Sequence, residues 1–130
     1  MIDAFAYDHF GIRVSSFKRA AAFYKRLGFR LAIDHGDNRA YEVVNKYGIR
    51  INLIANGVRR KDANNILMDE PVKYPGYTHA AFIVPDLQKA VAFVRKAKIK
   101  ITEGPKEVER RRYFFIRDPD GNVLEFNELR

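Results

Sequence analysis

The sequence predicts an α+β protein built from two copies of a β-α-β-β-β module. Three observations carry this. The predicted elements run in that order twice along the 130 residues. Residues 9–31 laid over 79–101, a displacement of 70, place His9 on His79, Val14 on Val84, Ala20 on Ala90, Ala22 on Ala92 and Phe23 on Phe93; chance supplies roughly one or two identities in such a window. A displacement of 73 then aligns the closing hairpins, with Gly48 on Gly121, Ile51 on Leu124, Asn52 on Glu125 and Leu53 on Phe126. The stretch between the copies, 56–76, is rich in Asn, Asp, Gly and Pro and has weak periodicity. A loop of that length in a compact domain is a lid, a binding loop or a linker. We therefore expect one domain over 1–130, with module 1 at 5–55, a linker loop at 56–76 and module 2 at 77–130.

Each element has its own signal. Residues 5–14 read as a strand, because Phe10, Ile12 and Val14 alternate with His9, Gly11 and Arg13. Ser15 and Ser16 are helix-capping residues, and Phe17, Ala20, Ala21, Phe23, Tyr24 and Leu27 follow at helical spacing until Gly28. A short strand at 29–34 leads to a turn signal at His35-Gly36-Asp37-Asn38. Residues 39–45 and 49–55 form a hairpin around Lys46-Tyr47-Gly48. In the second copy a strand covers 77–84, and Pro85-Asp86 opens a helix to about Ala97. Strands follow near 99–102 and over 111–117. Asp118-Pro119-Asp120-Gly121 turns the chain into a closing strand at 122–128.

Composition narrows the function classes. With 47% hydrophobic and 31% charged residues the chain is that of a soluble globular protein, long enough for a real core. No apolar run approaches a membrane span, and the N-terminus shows no secretory pattern. The absence of Cys removes disulfides, thiolate metal sites and cysteine nucleophiles, and a cytoplasmic location is expected. The formal charge of +8 draws in anions. Its basic residues are scattered over Arg59-Arg60-Lys61, Arg95 to Lys100 and Arg110-Arg111-Arg112. They form no nucleic-acid recognition string, so neither nucleic acid nor membrane is the expected partner.

The repeat singles out His9, Asn52, His79 and Glu125, each inside an expected strand and each opposite the apolar residues of that strand. Two imidazoles and a carboxylate on one shared face are a divalent-metal donor set that leaves positions open for water and substrate. A lone strand histidine is ordinarily a core or surface residue; two at equivalent positions, with Glu125, are harder to dismiss. Arg13 and Arg50 fall on the same faces as these residues and are candidates to pair with a substrate carboxylate. A solvated arginine at a strand end is the equal alternative. Tyr41, Tyr113 and Phe115 are candidates to line the pocket or to belong to the core.

At this point the strings Asp8-His9-Phe10-Gly11-Ile12-Arg13-Val14 and Ala22-Phe23-Tyr24-Lys25-Arg26-Leu27-Gly28-Phe29 resemble the first module of the vicinal oxygen chelate superfamily. Tyr77-Thr78-His79-Ala80-Ala81-Phe82 and Asp118-Pro119-Asp120-Gly121-Asn122-Val123-Leu124-Glu125 resemble its second. The resemblance, which spans nearly the whole chain, implies paired βαβββ modules forming a curled mixed sheet around a metal-binding cavity. It implies one divalent ion per chain (Zn, Ni, Fe, Mn or Co) on His9, His79 and Glu125, and a homodimer that often completes the site across its interface. It also implies a metal-dependent enzyme of glyoxalase type, a lyase or isomerase acting on a small molecule with adjacent oxygens. The alternatives are an Fe(II)-dependent dioxygenase and a non-catalytic binder like the bleomycin resistance proteins. Two departures matter. Asn52 stands where glyoxalases carry Glu or Gln, and an amide cannot act as a general base, which leaves Glu125 for that role. Phe115 stands where fosfomycin resistance transferases and extradiol dioxygenases carry Tyr. Arg13, Arg50, Asn52 and Phe115 are accordingly the expected substrate contacts.

Overall fold

The computed structural model describes residues 1–35 and 40–130; the Gly36-Asp37-Asn38 part of the expected turn lies outside the described residues. The chain divides into two compact units, Met1–Arg59 and Arg60–Arg130. In the first, β1 (Phe10–Arg13), α1 (Phe17–Arg26), β2 (Arg30–Asp34), β3 (Ala40–Val44) and β4 (Arg50–Ile54) give a four-stranded sheet of order β1-β4-β3-β2. In the second, β5 (His79–Ile83), α2 (Leu87–Lys96), β6 (Ile101–Val108), β7 (Arg111–Arg117) and β8 (Val123–Leu129) give the order β5-β8-β7-β6. Both sheets are mixed, with β1 parallel to β4, β5 parallel to β8, and the remaining pairs antiparallel. The α+β class and the two βαβββ modules are as the sequence predicts. The eight strands form two separate sheets, each open at its edges.

The local signals act as expected. The Ser16 hydroxyl caps α1 by accepting from the Arg19 N–H at 3.2 Å, and the Asp86 carboxylate caps α2 by accepting from the Lys89 N–H at 3.0 Å. Gly28 ends α1 with φ of 94°, so that the Phe29 N–H reaches back to the Tyr24 carbonyl at 3.0 Å. Only glycine takes that left-handed conformation without strain. The second module makes the same turn with Lys98, at φ of 57°, and the Ile99 N–H reaches the Val94 carbonyl at 2.8 Å.

Each helix covers one face of its sheet. Beneath α1 lie Ile12, Tyr41, Val43, Ile51 and Leu53, all buried; Phe17 stacks on Tyr41 with ring centroids 3.6 Å apart. Tyr41 is thus a core residue. On the helix face of the second sheet Phe82, Phe126 and Phe114 stack across three adjacent strands. Leu124 and Ile116 beside them are fully buried.

Three boundaries differ from expectation. β1 begins at Phe10, because β4 offers partners only to residues 10–13, so His9 stands just ahead of the strand. β6 continues to Val108, past the Gly104-Pro105 pair that resembles a break. It is an edge strand, where a proline needs no N–H for the ladder, and its register shifts beside Glu103 absorb the irregularity. The segment from Arg60 to Gly76 is folded against the second sheet. A single 3-10 turn, Lys61–Ala63, opens it. The Asn65 side-chain carbonyl then accepts from the N–H groups of Leu67 and Met68, and its amide donates to the Gly121 carbonyl at 3.0 Å.

Candidate functional site

In the second unit the strand registers generate a small grid on the face away from α2. One row holds His79, Val123 and Arg117; the next holds Ala81, Glu125 and Phe115; the third holds Ile83, Asn127 and Tyr113. Side chains two residues apart on a strand share a face, so Glu125 sits at the centre with His79 diagonal to it. Nε2 of His79 and Oε2 of Glu125 are 2.7 Å apart, with side chains 29% and 15% exposed. Nδ1 of His79 lies 2.9 Å from the Thr78 hydroxyl. A hydroxyl both donates and accepts, so Thr78 serves either tautomer. It accepts from Nδ1–H when Nε2 is a bare donor to a metal, and it donates to Nδ1 when Nε2–H bonds the carboxylate. Phe115 meets the His79 ring edge-on, centroids 5.2 Å apart, and Tyr113 lies 5.6 Å beyond Phe115.

The first unit repeats half of this arrangement. Asp8 binds Nδ1 of His9 through its carboxylate, as Thr78 binds Nδ1 of His79. Such outer contacts orient a ligating imidazole and fix its tautomer. Asn52 lies on the face away from α1, opposite Glu42 in the β3–β4 ladder and Gly11 in the β1–β4 ladder. The Glu42 carboxylate, 12% exposed, accepts from Arg50 at 2.7 Å, and that bond holds the guanidinium above its ordinary value. Arg13 donates from Nε to the Asn56 side-chain carbonyl at 3.0 Å. Both arginines expected to meet a substrate carboxylate therefore already have protein partners.

The structure brings His79, Glu125 and Phe115 together in the second unit, and it places His9, Arg13, Arg50 and Asn52 in the first. Among the described residues no three His, Cys, Asp or Glu side chains stand together as a metal-holding group. Sequence reasoning missed Glu42, a lone charge within the apolar Ala40-Tyr41-Glu42-Val43-Val44 strand, which alternation alone would have flagged. It also missed Thr78 and the Asp69–Arg117 pair. There the guanidinium of Arg117 donates to both carboxylate oxygens of Asp69, at 2.5 and 2.8 Å, which holds Asp69 below the usual carboxylate range. This pair fastens the 60–76 segment to the row that carries His79. The Asp118 string serves the fold: one carboxylate oxygen accepts from the N–H groups of Asp120 and Asn122, both at 2.9 Å, and delivers the chain into β8.

The chain thus has two βαβββ modules, and the second bears an imidazole–carboxylate pair on the sheet face away from α2. The chain belongs to the Glyoxalase/Bleomycin resistance protein/Dioxygenase superfamily, whose family model matches residues 6–126. Solved structures share the fold over essentially the whole chain. An antibiotic binding protein, TnmS3 from Streptomyces sp. CB03234, is 23% identical with a TM-score of 0.72, covering 100% of both chains. A glyoxalase/dioxygenase from Nostoc punctiforme is 19% identical with a TM-score of 0.74, covering 100% of this chain and 99% of that one. The fosfomycin resistance protein FosX from Listeria monocytogenes is 13% identical with a TM-score of 0.69, covering 97% and 91%. No curated protein matches the chain significantly. Among the described residues no helix is long and apolar enough to cross a membrane.

Proposed function

We propose that this chain is a metal-dependent enzyme of glyoxalase type that carries out redox-neutral proton transfer on a small substrate with adjacent oxygens. One observation supports this most: His79 Nε2 and Glu125 Oε2 stand 2.7 Å apart on neighbouring strands, with the other imidazole nitrogen tied to Thr78. These residues fit a metal, since imidazole with carboxylate suits zinc, iron, nickel, manganese and cobalt. On this reading His79 and Glu125 hold one divalent ion per chain together with His9, and a homodimer completes the site. When bound, the ion supplies Lewis acidity toward the substrate oxygens.

The remaining chemistry belongs to the chain's own residues. The Glu125 carboxylate takes a proton from the carbon beside a carbonyl and returns it at the neighbouring position, so no oxidant is required. Phe115 packs against the substrate and helps exclude water; its phenyl ring donates no proton. Asn52 offers an uncharged amide from the first module. Arg13 and Arg50 bind an anionic substituent only by exchanging Asn56 and Glu42 for it.

The purified protein should carry about one metal ion per chain, and His9→Ala, His79→Ala and Glu125→Ala should each lose most of it. Full metal retention in all three variants would refute the site. Light scattering should report twice the 15.1 kDa chain mass. The Fe(II)-loaded protein should take up no oxygen with catechols or 2-oxo acids. Substrate-dependent consumption of one O₂ per turnover, abolished by His79→Ala, would establish the dioxygenase instead. The two-donor count in the second unit favours one further reading, a small-molecule binder that uses His79 and Glu125 as a polar hook. Protein purified without metal that still binds its ligand would decide for it.

A further inference from the structure

Beside the end of α2 and the start of β6 lies an open cavity of about 500 Å³, lined by Arg95, Lys98, Ile99, Lys100, Ile101 and Gly104. Its place separates it from the face described above. Ile101 pairs with Ile116, which is buried on the α2 side of the sheet, and β6 is an edge strand. His79 and Glu125 stand on the opposite face.

The chemistry of this cavity is one-sided. Arg95, Lys98 and Lys100 are all exposed, and among the described residues no carboxylate lines the cavity with them. Among the described residues none of these side chains forms an ion pair. Unneutralised cations gathered around one concavity make a positive potential that draws in an anion. Ile99, which is buried, and Ile101, which is half-buried, add an apolar wall.

The internal repeat shows which charge the fold does not require. A displacement of 70 places Arg95 on Lys25, Lys98 on Gly28 and Lys100 on Arg30. A cation in the last helical turn complements the helix dipole, and Lys25 and Arg95 both supply it. The turn that follows is left-handed in both modules. The first makes it with Gly28 at φ of 94°, the second with Lys98 at φ of 57°. A residue with a Cβ is strained there and glycine is not, and strain of this kind concentrates at functional positions. Lys98 thus departs from the module's own pattern at the place where it adds a cation to the cavity.

We propose that this cavity binds the phosphate group of a small phosphorylated molecule, at a site separate from the His79–Glu125 face. Arg95 offers a planar fork of donors that matches two phosphate oxygens, and Lys98 and Lys100 add point charges. A phosphate monoester carries about −1.5 to −2 charges at neutral pH, which suits this cluster better than a monoanionic carboxylate does. The carbon part of the molecule lies against Ile99 and Ile101. The volume falls within the range of small-molecule sites, roughly 300–1,000 Å³.

Phenyl phosphate is the probe, titrated by NMR at low ionic strength beside inorganic phosphate, benzoate and a short single-stranded oligonucleotide. It should shift the backbone amide signals of 98–101 and 104, and bind more tightly than inorganic phosphate or benzoate. Lys98→Gly should weaken it about tenfold, the loss of one charge-assisted hydrogen bond at the low end of its range, while the variant melts higher than wild type. Arg95→Gln and Lys100→Gln should weaken it as well. Lys96→Ala, which removes the same charge outside the cavity, should bind as wild type does, and so should His79→Ala. Unmoved amides at 98–101, equal weakening by Lys96→Ala, or loss of binding in His79→Ala would overturn the site. A lower melting point in Lys98→Gly would remove the argument from strain and overturn the inference. Benzoate as tight as phenyl phosphate would overturn the phosphate, and inorganic phosphate as tight would overturn the organic ester. An oligonucleotide that displaces phenyl phosphate and binds far more tightly would make the cluster a nucleic-acid contact instead.

Discussion

Gly48 and Gly121 occupy equivalent positions in the two hairpins and share a left-handed backbone, with φ of 82° and 85°. A Cβ at Gly48 would meet nothing within 4 Å; at Gly121 it would overlap the Ala63 carbonyl oxygen outright and stand 3.0 Å from its carbon. The two Gly→Ala substitutions therefore share one cost and differ in a second. The shared cost is the left-handed conformation, about 1 kcal/mol for a residue with a Cβ. Gly121→Ala must in addition push the Lys61–Ala63 turn away and weaken the bond from Asn65 to the Gly121 carbonyl, about 1 kcal/mol each for the lost hydrogen bond and the disturbed contact. A total near 3 kcal/mol results. For a chain of this size that corresponds to a fall in Tm of roughly 9–15 °C, against roughly 3–5 °C for Gly48→Ala. Circular dichroism melts of both variants measure the difference, and limited proteolysis should find new cuts in 60–70 only in Gly121→Ala. Equal losses of Tm would refute the placement of the segment against the β7–β8 turn.

Lys98→Gly should stabilise the protein by about 0.5–1 kcal/mol, because the second module makes with a lysine the left-handed turn that the first makes with Gly28; a higher urea midpoint at unchanged m-value checks it. Asp69→Asn should cost about 1 kcal/mol at pH 7, the contribution of a partly exposed bidentate pair. Hydrogen bonding to Arg117 lowers the folded-state value of Asp69 below the ordinary 3.8, so this stability is present above that value and is lost as pH falls through the depressed one. The gap between wild type and variant should close only in strong acid, as urea titrations across pH will show. Asn52→Glu should slow the loss of metal to a chelator, by adding an anionic donor to the face that carries Asn52.

The parts of the fold set by local chemistry were legible. Caps, the Gly28 stop, the alternation of the strands and the Asp118 turn each act over a few residues, and the repeat supplied the pairing of helices with sheets. Alternation placed Asn52, His79 and Glu125 on the sheet faces away from the helices, whereas His9, expected within the first strand, falls just ahead of it. What escaped needed register to one residue. Arg50 and Glu42 are eight positions apart, and only the hairpin ladder shows that they share a face and bond. Thr78 looks like an ordinary strand-edge residue until its hydroxyl is seen against His79. The 60–76 segment has no periodicity to read because its order comes from side-chain caps such as Asn65 and from the distant Arg117, 48 positions away from Asp69.

That segment also moves the natural seam of the molecule. A loop shared evenly between two modules would invite a cut at its centre, but its bonds to Arg117 and Gly121 assign it to the second unit, which begins at Arg60. A chain divided between Arg59 and Arg60 would give each fragment its own helix, its own four strands and every contact just described within it. Co-expressed as separate polypeptides, the two fragments are the ones to test for fragment complementation, whereas a cut near Asp69 would sever the strap from the arginine that holds it.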